Sequence, residues 1–247
     1  MPRRAGIMEA VSSRLPSLTG TIIAFGHRGA AAHAQENTLE SFELAMTFGA
    51  TGIESNVWVT ADGIPVLNDD GTIGPRFRRR KIAAMNAAEL PSEVPTLTEL
   101  FDLTEATYPI SLDVKDQHAF EAVIDVARDW GEKAEEQLWL CHQELEVLAE
   151  WRPRTSAKLV NSTRLGRINE GIERRLARLH DAEIDALNMF HSDWSGGTVA
   201  LTHRFQIQAF GWGAQHQREL AAVVDAGIDA VYSDHVDRMM SVINEYY

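Results

Sequence analysis

The chain has 247 residues, 45% of them hydrophobic, a single cysteine, and 36 acidic against 23 basic side chains for a formal net charge of −13. Such a chain can bury a full core, but one cysteine excludes an internal disulfide or a thiolate metal cage. The acidic excess argues against nucleic acid or an anionic membrane as partner, and no apolar run approaches the roughly 20 residues of a membrane span, so no stable membrane insertion is expected.

Residues 1–20 carry early arginines without the apolar stretch and cleavage site of a secretory signal. They read as a leader to a single domain over 21–247, in a cytoplasmic protein. Short aliphatic and β-branched runs then recur at 21–26, 52–57 with 64–68 close behind, 110–115, 137–141, 157–161, 184–189, 207–212 and 229–233. Several are continuously apolar, as strands covered on both faces must be. Helical patterns fill the gaps at 96–105, 117–131, 143–150, 164–180, 195–203, 215–227 and 235–244. The helix after the first strand opens on Asn37-Thr38-Leu39-Glu40, read as a capping box with Asn37 as N-cap and Glu40 reaching back. Leu39, Phe42 and Met46 share its inner face. Gly131 and Gly227 stand where helices stop. Alternating strands and helices of this number predict an α/β fold, a single-domain (β/α)8 TIM barrel. An open doubly wound sheet is the alternative, but no Gly-rich dinucleotide fingerprint follows the first strand.

Functional groups of such barrels gather at the carboxyl ends of the strands. There the chain places Gly26-His27-Arg28-Gly29, then Glu54 and Asn56 two residues apart and hence on one face. Asn68-Asp69-Asp70 follows the hairpin run, and Asp113 and Lys115 are again two apart. Glu54, Asn56 and Asp113 are oxygen donors of the kind hard divalent cations prefer. His27 titrates near neutrality, and Arg28 and Lys115 offer fixed positive charge to a phosphate. Together they describe phosphodiester chemistry. The competing reading is structural, with Glu54 and Asp113 neutralised by Arg28 and Lys115 in a salt-bridge network.

Other candidates have plainer explanations. Cys141 and His142 are adjacent on a strand and point to opposite faces, so a buried structural cysteine is favoured over a thiol nucleophile. His191 and His235 could help line the mouth, but they read better as solvated loop residues. Trp212 is a candidate wall of the substrate pocket. The basic run at 76–81 reads as a solvated loop, with a lip for anionic head groups as the alternative.

In these residues the chain resembles the glycerophosphodiester phosphodiesterase family. The resemblance lies in His27-Arg28-Gly29, Glu36-Asn37-Thr38 with Phe42 and Ala45, Gly49-Ala50, Ile53-Glu54, Val57, Thr60, Asp62-Gly63, Pro65-Val66, Pro95-Thr96-Leu97 and the closing run from Gly227 to Asp234. It implies a (β/α)8 barrel that hydrolyses a small-molecule phosphodiester to glycerol 3-phosphate and an alcohol with a divalent cation, Mg2+ or Ca2+. It places the chain in lipid and glycerol metabolism. By the same resemblance His27 is one of two catalytic histidines, Arg28 a phosphate ligand, Lys115 its neighbour, and Glu54 and Asp113 metal ligands. Two positions depart from the family pattern. Asn56 replaces an Asp, removing a charge and weakening the cation site. Asn68 stands where the second histidine is usual, and an amide cannot exchange a proton near neutral pH. Slow or altered hydrolysis is therefore expected. The alternatives are a catalytically silent relative that binds a phosphodiester or phosphate, and a phosphodiesterase for another phospholipid head group.

Overall fold

The computed structural model describes residues 15–75, 77–116 and 118–246. Most of the expected leader lies outside the described residues, as does Arg76 of the basic run. Eight strands, β1 (Ile23–Gly26), β2 (Gly52–Val59), β3 (Ile110–Val114), β4 (Leu138–His142), β5 (Lys158–Thr163), β6 (Ala186–Phe190), β7 (Gln208–Trp212) and β8 (Ala230–Ser233), run in order. Each pairs in parallel with the next, and β1 pairs with both β2 and β8, closing the barrel. The fold is thus the (β/α)8 barrel. The Pro65–Leu67 strand is extra to it and pairs antiparallel with Val57–Val59 of β2.

Around the barrel lie α1 (Leu39–Thr47), α2 (Leu97–Thr104), α3 (Ala119–Trp130), α4 (Glu132–Gln137), α5 (Leu145–Trp151), α6 (Ile172–Asp181), α7 (Gly196–Arg204), α8 (Gln217–Asp225) and α9 (Val236–Tyr246). Among the described residues no helix is long and apolar enough to cross a membrane.

Strand alternation builds two cores. Outward residues such as Ala24, Ile53 and Leu112 join the helices in one continuous apolar layer. Inward residues Phe25, Trp139, Cys141, Val160, Phe210 and Tyr232 fill the barrel itself. Phe25 stacks on Tyr232 with ring centroids 4.8 Å apart. Burying each such side chain contributes about 2–3 kcal/mol. Beneath this plug, the fully buried Asp229 carboxylate accepts the backbone N–H groups of Leu18 and Ala209 (2.5 and 2.7 Å) and lies 2.8 Å from His203 Nε2. Residues 15–18 are thereby fastened to the barrel floor, and Leu15 N–H also donates to the Asp225 carbonyl at 3.3 Å.

Three local expectations differ from the structure. The N-cap of α1 is Thr38, whose extended backbone lets its hydroxyl accept the Ser41 N–H at 3.2 Å. Asn37 instead takes a left-handed φ of 56°, which its short polar side chain tolerates, and accepts the Ser55 hydroxyl at 2.6 Å, tying the loop to β2. The helix expected over 164–180 starts only at Ile172, because Gly171 (φ 85°) turns the chain there and Leu165–Arg167 makes a separate 3-10 turn. The short α4, not anticipated, follows the break at Gly131.

Candidate active site

The first loop after β1 is built around strain. Arg28 has φ 52° and Gly29 φ 83°. A Cβ at Gly29 would lie 2.6 Å from the Ser41 carbonyl carbon, so only glycine lets the loop sit on α1. Ser41 completes the attachment, its hydroxyl accepting the Ala30 N–H (2.9 Å) and donating to the Arg28 carbonyl (3.1 Å). A non-glycine residue in the left-handed region costs of order 1–3 kcal/mol and persists where surroundings enforce it. Here the result is that the Arg28 N–H donates to Glu54 Oε2 at 2.9 Å.

Glu54 and Asn56 project from the inner face of β2, and register pairing sets Asn56 directly beside Asp113 on β3. With His27, Arg28, Lys115 and Trp212 they line one cavity of about 290 Å³ at the carboxyl end of the barrel. His27 Nδ1 lies 2.6 Å from Asp234 Oδ1, and its Nε2 lies 3.7 Å from Glu54 Oε2. Burial disfavours the imidazolium, but the Glu54 charge and the hydrogen bond and charge of Asp234 outweigh it, so the His27 pKa is raised. Asp234 moves the other way. Burial opposes its ionisation, yet the His27 hydrogen bond and the nearby positive charges hold its carboxyl below the usual range. Burial dominates at Glu54 and raises its pKa, against the pull of His27 and the Arg28 N–H.

The salt-bridge network of the competing reading forms only in part. Arg28 turns its guanidinium to Glu36 (2.8 Å) and Asp69 (3.0 Å), Lys115 pairs with Asp113, and Glu54 keeps the backbone N–H and His27. Three buried polar atoms of the cavity residues have no hydrogen-bond partner: Asn56 Oδ1, Asn188 Oδ1 and Arg28 Nε. An unsatisfied buried polar atom costs about 1–3 kcal/mol. A carbonyl oxygen of this kind beside a buried carboxylate fits a hard cation, and a free guanidinium N–H fits a phosphate oxygen.

Asn68 borders this group without lining its cavity, its N–H donating to the Asn56 carbonyl at 3.1 Å. Its side-chain carbonyl accepts the N–H groups of Gly71 (3.0 Å) and Asp70 (3.3 Å), and it lines a neighbouring depression with Glu36, Asp69 and Arg79. Cys141 faces the barrel interior beside Ser111 (3.3 Å), and burial pushes its thiol strongly up, as a structural cysteine requires. His142 packs edge-on to Trp151 and also lines a cavity adjoining that of His27. In the basic run, Arg79 pairs with Asp70 and Arg80 with Glu89, while Phe77 is 95% exposed.

Sequence reasoning reached Asp234 only as the end of the closing run, without a role, and passed over Ser162 and Asn188. The available signal was position, since each stands at or near the carboxyl end of a strand. Asp234 reaches His27 only because the barrel closes β8 onto β1. A second cavity of about 330 Å³ adjoins the first, sharing Asp113, Lys115, Ser162 and Trp212 and adding Gln143, Arg164 and Arg167. Trp212 stands edge-on to Phe190 (4.8 Å), and the Arg164 guanidinium lies over both rings.

A barrel mouth with buried oxygen donors, a carboxylate-held imidazole and cationic side chains defines a phosphoester-handling class of protein. The chain belongs to the glycerophosphoryl diester phosphodiesterase family, whose model matches residues 27–238. It is 21% identical to the glycerophosphodiester phosphodiesterase of Caldanaerobacter subterraneus subsp. tengcongensis over 247 aligned positions, covering 90% of this chain and 98% of the relative. The human, rat and mouse glycerophosphodiester phosphodiesterase 1 proteins match over 52 residues only, 16% of their length. The barrel is similar to the crystal structure of the Thermotoga maritima glycerophosphodiester phosphodiesterase (TM-score 0.77, 24% identity, 90% of this chain and 98% of that one). It is also similar to an Oleispira antarctica phosphodiesterase in complex with sn-glycerol-3-phosphate (TM-score 0.77, 19% identity, 93% and 100%).

Proposed function

We propose that this chain hydrolyses glycerophosphodiesters to glycerol 3-phosphate and an alcohol, at a reduced rate, with a divalent cation held by Glu54, Asn56 and Asp113. The observation that carries the reading is that these three donors, His27, Arg28 and Lys115 line one cavity in which the Asn56 carbonyl lacks a partner. The product bound to the Oleispira relative supports the same product here. The ion, Mg2+ or Ca2+, supplies positive charge that draws electron density from the phosphorus–oxygen bonds.

The chain's own residues supply the rest. Arg28 and Lys115 bind and orient the phosphate, each exchanging a carboxylate partner for a phosphate oxygen. His27 holds a proton at Nε2 for the departing alcohol, and Asp234 at Nδ1 fixes the ring and favours its charged form. Trp212 walls the pocket, and the adjoining cavity with Arg164 and Gln143 has room for the alcohol. Asn68, occupied with its own loop, moves no proton, which is the source of the reduced rate. We further assign the activity to the cytoplasm and to lipid and glycerol metabolism.

Glycerol 3-phosphate release from a panel of glycerophosphodiesters, abolished by EDTA and in His27→Ala, is the expected result. Absence of turnover with every diester, with Mg2+ and with Ca2+, overturns the proposal. If phosphodiesters then still raise the melting temperature, the chain is a silent binding relative.

A further inference from the structure

Outside the catalytic cavity, the loop after β1 and the start of α9 bring together His33, His235 and Asp237, one donor atom from each lying within 4.8 Å of the others. We propose that this trio is a second metal site, for a borderline transition ion such as Zn2+, distinct from the oxygen-donor site of Glu54, Asn56 and Asp113.

The argument begins with donor chemistry. Two imidazoles and one carboxylate suit Zn2+, Co2+ or Ni2+, whereas Mg2+ and Ca2+ prefer oxygen alone. Geometry comes next. His33 Nε2 lies 3.6 Å from Asp237 Oδ1, and ligand atoms of a tetrahedral zinc with bonds near 2.0–2.1 Å stand about 3.4 Å apart. All three donors lie within 4.8 Å of one another, and a water would complete a four-coordinate shell. Orientation is supplied by packing, because the His33 ring sits edge-on between Phe48 (5.0 Å) and His235 (5.8 Å). His235 Nδ1 is buried without a hydrogen-bond partner, an unsatisfied ring nitrogen that a bond to a metal would satisfy. His33 and Asp237 are exposed enough for an ion to enter from solvent.

The position gives the site a consequence. His235 follows Asp234, which holds His27, and the Ala32 N–H donates to the Asp234 carbonyl at 3.2 Å. An ion bridging His33 to His235 and Asp237 would pin the loop that carries His27 and Arg28 to α9.

The test is Zn2+ binding to the full chain by calorimetry, with Co2+ as a spectroscopic probe. One equivalent is expected, giving the visible absorption of a four-coordinate cobalt site and a raised melting temperature. His33→Ala and Asp237→Asn, both at exposed positions, should weaken Zn2+ binding by about tenfold or more, while Glu54→Gln should leave it unchanged. No Zn2+ binding, binding indifferent to His33→Ala, or binding lost in Glu54→Gln overturns the proposal; the last outcome would place the ion in the catalytic cavity.

Discussion

Placing an imidazole at position 68 tests the chemical reasoning most directly. The backbone there is well held: the Asn68 N–H donates to the Asn56 carbonyl at 3.1 Å, and its carbonyl accepts the Trp58 indole N–H at 2.8 Å. Neither bond involves the side chain, so Asn68→His keeps the position of the residue. It loses the two side-chain bonds to the Asp70 and Gly71 N–H groups. In an exposed loop these are worth about 1 kcal/mol together, a fall of about 2–4 °C in melting temperature for a chain of this size. Against that, a positioned acid–base group contributes about 10²–10⁴ in rate. Asn56→Asp adds a charge to the cation site, so the double variant should need less Mg2+ or Ca2+ for half-maximal activity. Glycerol 3-phosphate release, followed with a coupled dehydrogenase across a cation titration, should rise at least about 10²-fold in the double variant. A double variant that folds, binds the cation and gains nothing would refute the assignment of Asn68 as the missing proton-transfer position.

Three further outcomes are expected. The raised His27 pKa means that folding favours the imidazolium. Its stabilisation should therefore be complete below the unfolded value of about 6.5 and disappear as pH rises through the higher folded value; histidine NMR should show the midpoint falling in Asp234→Asn, and an unmoved midpoint contradicts the pairing. Gly29→Ala combines a left-handed φ with a backbone clash at Ser41 and should lose about 3 kcal/mol or more in urea unfolding, whereas a native-like transition would show that the loop is not held as described. Cys141 should resist iodoacetamide until the chain unfolds, and Cys141→Ala should keep its turnover; rapid labelling of the native protein would remove the structural assignment.

The barrel is legible in the sequence because each strand is short, apolar and bounded by a helical period, so every barrel strand was anticipated to within a few residues, whereas the small ladder of Thr72–Ile73 with Arg80–Lys81, in part of the run read as a loop, was not. The polar residues of one face are legible for the same reason: alternation fixes Glu54 with Asn56, whatever the rest of the chain does. Contacts that depend on closure are not. Asp234 reaches His27 across 207 residues, and no local pattern encodes that pair. Caps fail differently. Asn37 and Thr38 are both good N-caps, and the choice between them is made by Ser55, which recruits Asn37 from a neighbouring strand. The stop before α6 lies in the conformation of Gly171, while the amphipathic pattern runs past it in either direction.

The aromatic plug formed by Phe25, Trp139, Phe210 and Tyr232 has a bearing on how such a protein can diverge. It fills the barrel below the mouth, with only Tyr232 of these four rings reaching the cavity lining, so most of the cohesion comes from layers away from the rim. Substitutions of polar residues at the rim, at positions such as 56 and 68, should then carry little penalty to folding. A lineage built on this scaffold can lose, retune or regain its chemistry while its shape stays put.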